Sequence, residues 1–509
     1  MIGNRLSALL AKINIIEQHG PFDPHITGLA YDSREVRRGS LFFALKGLHT
    51  DGHQYISSAV GNGAAAVLHS DPLPEYAQEV AYVRVENSRR LMSPIASSFY
   101  NDPSSEMTII GVTGTDGKST TSYFVQQLLA LRGIRAGLLT TVQFDMGEGP
   151  QKNFLRQSTP EATEIHRLLR TMRTKGCTHA VVEATSHGLS PLNNRLGDVK
   201  FDVGVLTNIS HEHLDFHKTL EQYIDDKANL FRALPSEKGY GVVNAAEEHR
   251  QAFIDAAAGP VYLYGIEPEE NPGATQTADL SAADIQDSPT GQSFLVRGSE
   301  LSQQITLPQP GRFNIENTLA ALLAVGHLPG SSIQDFLPLV SQLRPIKGRM
   351  VPVDEGQEFQ VIVDYAHTPG SFRKLFPPLR RQVGQGKLIS VFGSAGERDV
   401  EKRSQLGEIA SHYCDVIVLA DEDPRGEVPR EILEAIAAGC RTMQRDETLF
   451  LIEDRPTAIR RAFQIADADD LVVLLGKGHE GTIIYADGAV PWDEETAARE
   501  QLHALGYSK

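Results

Sequence analysis

The chain has 509 residues, too many for one core, so about three domains are expected. With 41% hydrophobic and 22% charged residues and no apolar run long enough to span a bilayer, it reads as a soluble globular protein without a membrane anchor. A formal net charge of −17 argues against general nucleic-acid or anionic-membrane binding, so specific Lys, Arg and backbone N–H groups must hold any anionic ligand.

The opening segment, MIGNRLSALLAKINIIEQ, predicts a short amphipathic helix and lacks the continuous apolar stretch of a signal peptide. Short apolar runs (SLFFAL, AAAVLH, VAYVRV) fill the rest of residues 1–103, which end at the linker-like NDPSSEM. From 104 to 345, strand-like runs (MTIIGV, AGLLTTV, HAVVEA, FDVGVLTNI, YGVVNA) alternate with helical patterns, which predicts a mostly parallel sheet flanked by helices. Residues 267–300 read as loops with short strands. A third α/β region, 346–509, carries VIVDYA, LISVFG, VIVLAD and LVVLLG, each ending in a polar or glycine-rich loop where open α/β sheets bind ligands. Three cysteines (Cys177, Cys414, Cys440) lack metal-like spacing and suit a reducing cytoplasm.

The stretch IIGVTGTDGKSTTSYFVQQLLA (109–130) runs from a buried strand through a glycine-rich turn into a helix that should end near Gly133. Gly111, Gly114 and Gly117 permit tight turns whose N–H groups point at phosphates. Lys118 would reach the β/γ-phosphates, the Ser119 hydroxyl would bind Mg²⁺, and the helix N-terminus adds partial positive charge. Val112 stands where the usual P-loop spelling has its first glycine. A nucleotide site is predicted, with ATPase, kinase and ligase all left open.

Other residues are less decisive alone. Glu183 ends an apolar strand, where a carboxylate would face a cleft. His211, His213 and Asp215 nearly match the H-x-H-x-D-H signature of metallo-β-lactamase-like hydrolases, but the closing histidine falls one place late, at His217, and that fold needs no GKST loop. Solvated loop histidines are the plain alternative for His211 and His217. Lys227, among Asp225 and Asp226 on a predicted helix, reads as an exposed lysine in a charge pattern. Asn314 and Asn317 could cap the helix through LAALLAV. Arg349, Asp364 and His367 each read as surface polar residues.

GVTGTDGKSTT resembles the ATP loop of the Mur ligases, which usually reads G-x-T-G-T-[ND]-G-K-[ST], so Val112 is no defect there. The resemblance covers nearly the whole chain. DSREVRRGSLFFALKGLHTDGHQYI (32–56) resembles the UDP-binding domain of the tripeptide-synthetase branch, and STPEA, VVEATSHGLS, TNISHEHLDFH, YIDDKANLF, GRFNIENTLAA, DYAHTP, GSAGERD, EDPR and GKGHE follow in the family's order. It implies three α/β domains: a UDP-MurNAc-binding domain (1–103), a central P-loop-type ATP-binding domain (104–345) and a Rossmann-like amino-acid-binding domain (346–509). It also implies a cytoplasmic ligase, expected to be a monomer, that uses ATP and Mg²⁺ to join a diamino acid to UDP-MurNAc-L-Ala-D-Glu through an acyl phosphate.

The resemblance assigns residues as well. Gly114, Thr115, Asp116, Gly117, Lys118, Ser119 and Thr120 would hold the ATP phosphates; Asn314, Asn317, Arg349, Asp364 and His367 would complete the nucleotide site. Ser119, Glu183, His213 and Lys227, the last as a carbamate, would hold Mg²⁺; a carbamate supplies the hard oxygen ligand that an ammonium cannot. Lys118, Glu183, His213 and Lys227 form the catalytic set. Ser33, the GLHTDG loop, Ser158, Thr159, Thr185 and Arg195 would contact UDP-MurNAc-dipeptide, although SPLNN adds about two residues before Arg195. Arg398, Asp423, Arg425, Gly476 and Glu480 would read the amino acid. In the family the word D-N-P-R accompanies meso-diaminopimelate; here it reads Glu422-Asp423-Pro424-Arg425, preceded by Asp421. Arg425 argues for diaminopimelate. Asp423 argues for a purely cationic end, L-lysine or L-ornithine, because a carboxylate cannot donate to a distal carboxylate and would repel it by about 1 kcal/mol or more. A folylpolyglutamate synthetase would share the loop and the carbamylated lysine but would not need the UDP-type N-terminal domain or the EDPR and GKGHE words. A nucleotide-binding relative without ligase activity would bind ATP without substrate-dependent phosphate release.

Overall fold

The computed structural model describes residues 4–47, 50–153, 155, 157–210, 214–268, 278–288 and 291–509. The chain is α/β throughout and divides into two compact units, one of residues 1–264, 276–279 and 320–336, the other of 265–275, 280–319 and 337–509.

In the first unit, residues up to about 100 build a five-stranded sheet ordered Glu17–His19, Ala81–Arg84, Ala66–His69, Ser40–Phe43, Gly28–Ala30, parallel apart from its first pair. Leu41 and Phe43 pack into one core and Phe42 into another, so alternate side chains are buried on both faces. The predicted N-terminal helix is much shorter than its sequence pattern: of the described residues only Leu6–Leu9 are helical, and the chain turns extended at Glu17–His19 to pair with Ala81–Arg84. Sheet pairing overrides the weak helical period there.

The same unit carries a second sheet in the order Pro150–Lys152, Gln143–Asp145, Ala136–Leu139, His179–Glu183, Thr108–Thr113, Val203–Leu206, Tyr240–Asn244, Val261–Ile266. Strands from Ala136–Leu139 to Val261–Ile266 are parallel. The chain leaves Thr108–Thr113 toward Ala136–Leu139 and later returns to its other side with Val203–Leu206. That reversal opens a crevice at the carboxyl ends of three adjacent strands.

In the second unit, residues expected to be loops with short strands instead form an antiparallel meander, Leu280–Ser288, Gly291–Gly298 and Leu301–Leu307. Gln292, Phe294 and Val296 are buried at every second position, a period disguised because a buried position is polar (Gln292) and an outward one apolar (Leu295). A parallel sheet follows, ordered Gln360–Val363, Leu471–Leu474, Leu388–Phe392, Val416–Leu419, Leu449–Leu451, with Val351–Pro352 antiparallel at one edge. Ile362, Phe392, Leu419 and Val473 pack on one face and Val361, Val391, Val418 and Leu474 on the other. Each such burial contributes roughly 1.5–3 kcal/mol.

Candidate active site

In the first unit the glycine-rich turn follows the central strand Thr108–Thr113 and leads into the helix Lys118–Leu131. Gly117 (φ +82°) precedes that helix, whose first N–H groups have no intrahelical partner. The neighbouring strand's loop braces the turn: Thr115 N–H donates to the Asn208 carbonyl (2.7 Å), Asp116 N–H to Asn208 Oδ1 (3.0 Å), and the Thr207 hydroxyl reaches the Asp116 carbonyl (2.6 Å). Gly114 is needed at this crossing. With φ +138°, a Cβ there would lie 1.9 Å from Thr207 Oγ1. Gly114→Ala should therefore cost about 1–3 kcal/mol and weaken ATP binding. Thermal unfolding and an ATP titration check this; two unchanged values would contradict it.

Lys118 holds its ammonium 2.7 Å from the Thr115 carbonyl, a bond that a phosphate oxygen could replace. Ser119 donates its hydroxyl to Glu183 Oε2 at 2.8 Å. Glu183, from the adjacent strand His179–Glu183, is 2% exposed and also accepts from the Thr141 N–H (2.9 Å) and the Thr141 hydroxyl (3.0 Å). Among the described residues every hydrogen-bond partner of this buried carboxylate is neutral. A hard divalent cation beside Ser119 Oγ and Glu183 would suit such a site.

Lys227 is not the exposed lysine that Asp225 and Asp226 suggest. It is 1% exposed on the helix Leu220–Arg232, with Nζ 2.6 Å from the Gly114 carbonyl and 4.5 Å from the centre of the Tyr223 ring. Tyr223 in turn places its hydroxyl 3.0 Å from Thr115 Oγ1. His217 is likewise not a solvated loop residue. It is buried, with Nδ1 2.8 Å from Asp226 Oδ2 and Nε2 2.9 Å from Ser186 Oγ. His213, with His211, lies outside the described residues.

Thr159 and Thr185 meet through their hydroxyls at 2.8 Å, and Ser158 is half-buried beside Thr159. The two extra residues before Arg195 do not keep it away: its guanidinium donates to the Thr159 carbonyl (2.9 Å) and to Glu161 (2.8 Å). Ser33 is buried in the wall of an open pocket of about 660 Å³, with Tyr31, Arg34, Tyr55, Arg89 and Glu161 around it. Burial pushes the Tyr31 hydroxyl up to about 12, so it is a proton donor at neutral pH.

In the second unit, Asn314 and Asn317 do not cap from outside but sit within the helix Arg312–Gly326, Asn314 Nδ2 donating to the Pro310 carbonyl at 2.8 Å. Loops after four parallel strands carry Asp364 and His367, Arg398, Asp423 and Arg425, and Gly476 and Glu480, while Arg349 precedes Val351–Pro352. Asp364 is buried, accepting from the Met350 and Ala366 N–H groups, and burial raises its pKa while Arg349 opposes that rise. Arg349 stacks 4.6 Å over Tyr365, and His367 Nδ1 lies 2.9 Å from the Tyr365 carbonyl. Arg398 is exposed.

The charge at Asp423 differs from what its spelling implied. Asp423 Oδ1 accepts from Lys477 Nζ at 2.8 Å and from the Ile484 N–H at 3.0 Å, so a cation already faces it. Arg425 has no acid partner among the described residues, and its Nε is buried without a hydrogen bond. The neighbouring acids Asp421, Glu422 and Asp423 therefore do not hold Arg425. Gly476 (φ +95°) packs against the buried Glu422 carboxyl, whose pKa burial raises. Glu480 Oε1 accepts from the Tyr365 hydroxyl at 3.2 Å. Sequence reasoning passed over Thr141, Thr207, Asn208, Tyr223, Tyr365 and Lys477. Lys477 alone had a signal, its place between two glycines in GKGHE.

Three family models match the chain: "Mur ligase family, catalytic domain" over residues 25–100, "Mur ligase middle domain" over 112–325, and "Mur ligase, glutamate ligase domain" over 348–478. A UDP-N-acetylmuramyl-tripeptide synthetase of Treponema denticola is 43% identical, covering 98% of this chain and 97% of its own length. One from a Roseiflexus species is 45% identical, with 96% of each chain covered. Among solved structures, a UDP-N-acetylmuramoyl-L-alanyl-D-glutamate–2,6-diaminopimelate ligase superposes with a TM-score of 0.65 at 28% identity, covering 95% of this chain and 96% of its own.

Proposed function

This chain belongs to the Mur ligase family and is an ATP-dependent amide-bond ligase of peptidoglycan-precursor synthesis, and on that premise we propose that it adds a diamino acid to UDP-N-acetylmuramoyl-L-alanyl-D-glutamate. The D-glutamate carboxylate attacks the γ-phosphate of ATP, giving ADP and an acyl phosphate. The amine of the diamino acid then attacks the acyl carbon, and phosphate leaves. The observation that carries this is the meeting of the Lys118 turn with Ser119 and the buried Glu183.

Both chemical steps bring anions together, so the site's work is neutralising charge and orienting groups. Lys118 and the N–H groups of the first turn bind the transferring phosphate. Ser119, Glu183 and a carbamylated Lys227, with His213, would hold Mg²⁺, which supplies positive charge to the phosphates. A carbamate on Lys227 keeps one N–H, enough to retain its bond to the Gly114 carbonyl. Arg195 positions Thr159 beside Thr185 for the dipeptide end of the nucleotide sugar, and the pocket at Ser33 receives its uridine diphosphate.

For the incoming amino acid, Glu480 offers negative charge to a side-chain ammonium, which diaminopimelate, lysine and ornithine all have. Arg425 offers a cation to the second carboxylate that only diaminopimelate has. Comparing kcat/KM for meso-diaminopimelate, L-lysine and L-ornithine decides among them. If Arg425 reads a carboxylate, Arg425→Ala should lower kcat/KM for diaminopimelate by about tenfold or more and leave lysine nearly unchanged. Equal losses on both would remove Arg425 from recognition. A preference for a neutral or acidic amino acid would refute the pocket assignment.

A further inference from the structure

Lys477 is fully buried, an unusual place for a lysine, and the glycines on either side explain how it gets there. Gly476 (φ +95°) and Gly478 (φ +44°) both take the left-handed conformation. A Cβ on the first would strike Glu422 Oε2 at 2.6 Å, and on the second Tyr365 Cβ at 2.7 Å. The chain therefore folds close against these neighbours and turns Lys477 beneath the loop. A buried ammonium is tolerated only where acids meet it. Its Nζ donates to Asp423 Oδ1 at 2.8 Å and to Glu480 Oε2 at 2.5 Å.

Those two acids come from different loops. Asp423 follows the strand Val416–Leu419, and Glu480 follows Leu471–Leu474. Each is fixed by a second bond: Asp423 Oδ1 also accepts from the Ile484 N–H at 3.0 Å, and Glu480 Oε1 accepts from the Tyr365 hydroxyl at 3.2 Å. One ammonium thus faces two carboxylates, and the cluster keeps one negative charge in excess. Asp423 Oδ2 takes no part in these bonds, and the Glu480 side chain remains 33% exposed. Acceptor groups are thereby held in place with surplus negative charge, which is what a primary ammonium requires.

We propose that Lys477 is a positioning residue for amino-acid recognition: it ties Asp423 to Glu480 so that together they receive the side-chain ammonium of the incoming diamino acid. The proposal rests on the assignment of these loops to the amino acid. It also reinterprets Asp423, whose charge is set by its lysine partner as much as by its own carboxylate.

Lys477→Met tests it, with KM measured separately for amino acid, ATP and nucleotide sugar. The amino-acid KM should rise at least about tenfold while the other two stay within about twofold. An unmoved amino-acid KM, or three constants rising together, would overturn the proposal. Lys477→Met alone leaves two acids facing each other and could unfold the domain. The double variant Lys477→Met/Asp423→Asn removes one of them and should fold, with an amino-acid KM above that of Asp423→Asn alone, because Glu480 has also lost its tie. A KM equal to that of Asp423→Asn overturns the proposal. A wild-type KM in the double variant also overturns the proposal. If the wild type turns over none of the three diamino acids, the functional assignment is what fails. If it turns one over and the variants leave its KM unmoved, only the role of Lys477 fails.

Discussion

Replacing Lys118 with alanine is expected to abolish ligation, lowering kcat by about a hundred- to a thousandfold or more. Lys118 is the only charged side chain between Gly117 and Leu131, and in the proposed reaction it is the group that would neutralise the transferring phosphate. Its ammonium makes one described bond, to the Thr115 carbonyl, so little packing is lost. The melting temperature should accordingly stay within a few degrees of the wild type. Steady-state kinetics with a thermal melt checks both halves. Ligation near the wild-type rate would remove the phosphate assignment.

Lys227→Ala should have an effect of similar size, for a different reason. The side chain is buried against the Gly114 carbonyl and the Tyr223 ring, at the underside of the phosphate-binding turn. If its carbamate serves as an anionic metal ligand, alanine removes that ligand and leaves a cavity the size of the lost side chain. Short carboxylates such as formate or acetate should enter that cavity and restore part of the activity. They should do nothing for Lys118→Ala, where a cation is missing. Rescue of neither variant, together with an unmodified Lys227 ammonium in a well-resolved, substrate-bound crystal structure, would exclude the carbamate. The buried lysine would then act as an ammonium that holds the turn.

Most strands of both parallel sheets were legible because they are continuous apolar runs bounded by glycine or polar loops; Val261–Ile266 and Leu449–Leu451 were not among the runs singled out. Each of the nine runs quoted for residues 104–345 and 346–509 contains an observed strand, from Thr108–Thr113 to Leu471–Leu474. Two regions were not legible. The antiparallel meander at 280–307 hides its two-residue period behind polar and glycine positions, and the N-terminal segment has helical spacing that sheet pairing overrides. At the site, residues that the sequence reading grouped do meet in the fold: Ser119 and Glu183 are bonded, and Lys227 reaches the same turn. Charge was the part that sequence could not give. Asp423 looked like an uncompensated acid beside an arginine, but its partner lies 54 positions away in another loop. Arg195 was placed in doubt by the two extra residues before it, yet its length lets it reach Thr159. Spacing along the chain says little about a long side chain's reach across a fold.

The central claim is that ATP cleavage here is coupled to amide-bond formation on the nucleotide-sugar dipeptide. Release of phosphate should be followed with ATP and Mg²⁺ present, while the nucleotide-sugar dipeptide and the diamino acid are added singly and together, with the mass of the product read in parallel. Sustained release is expected only with both present, in equal amount to a product heavier than the dipeptide by one diamino-acid residue. Sustained phosphate release without the nucleotide sugar, or with it but with no new amide product, would contradict the account.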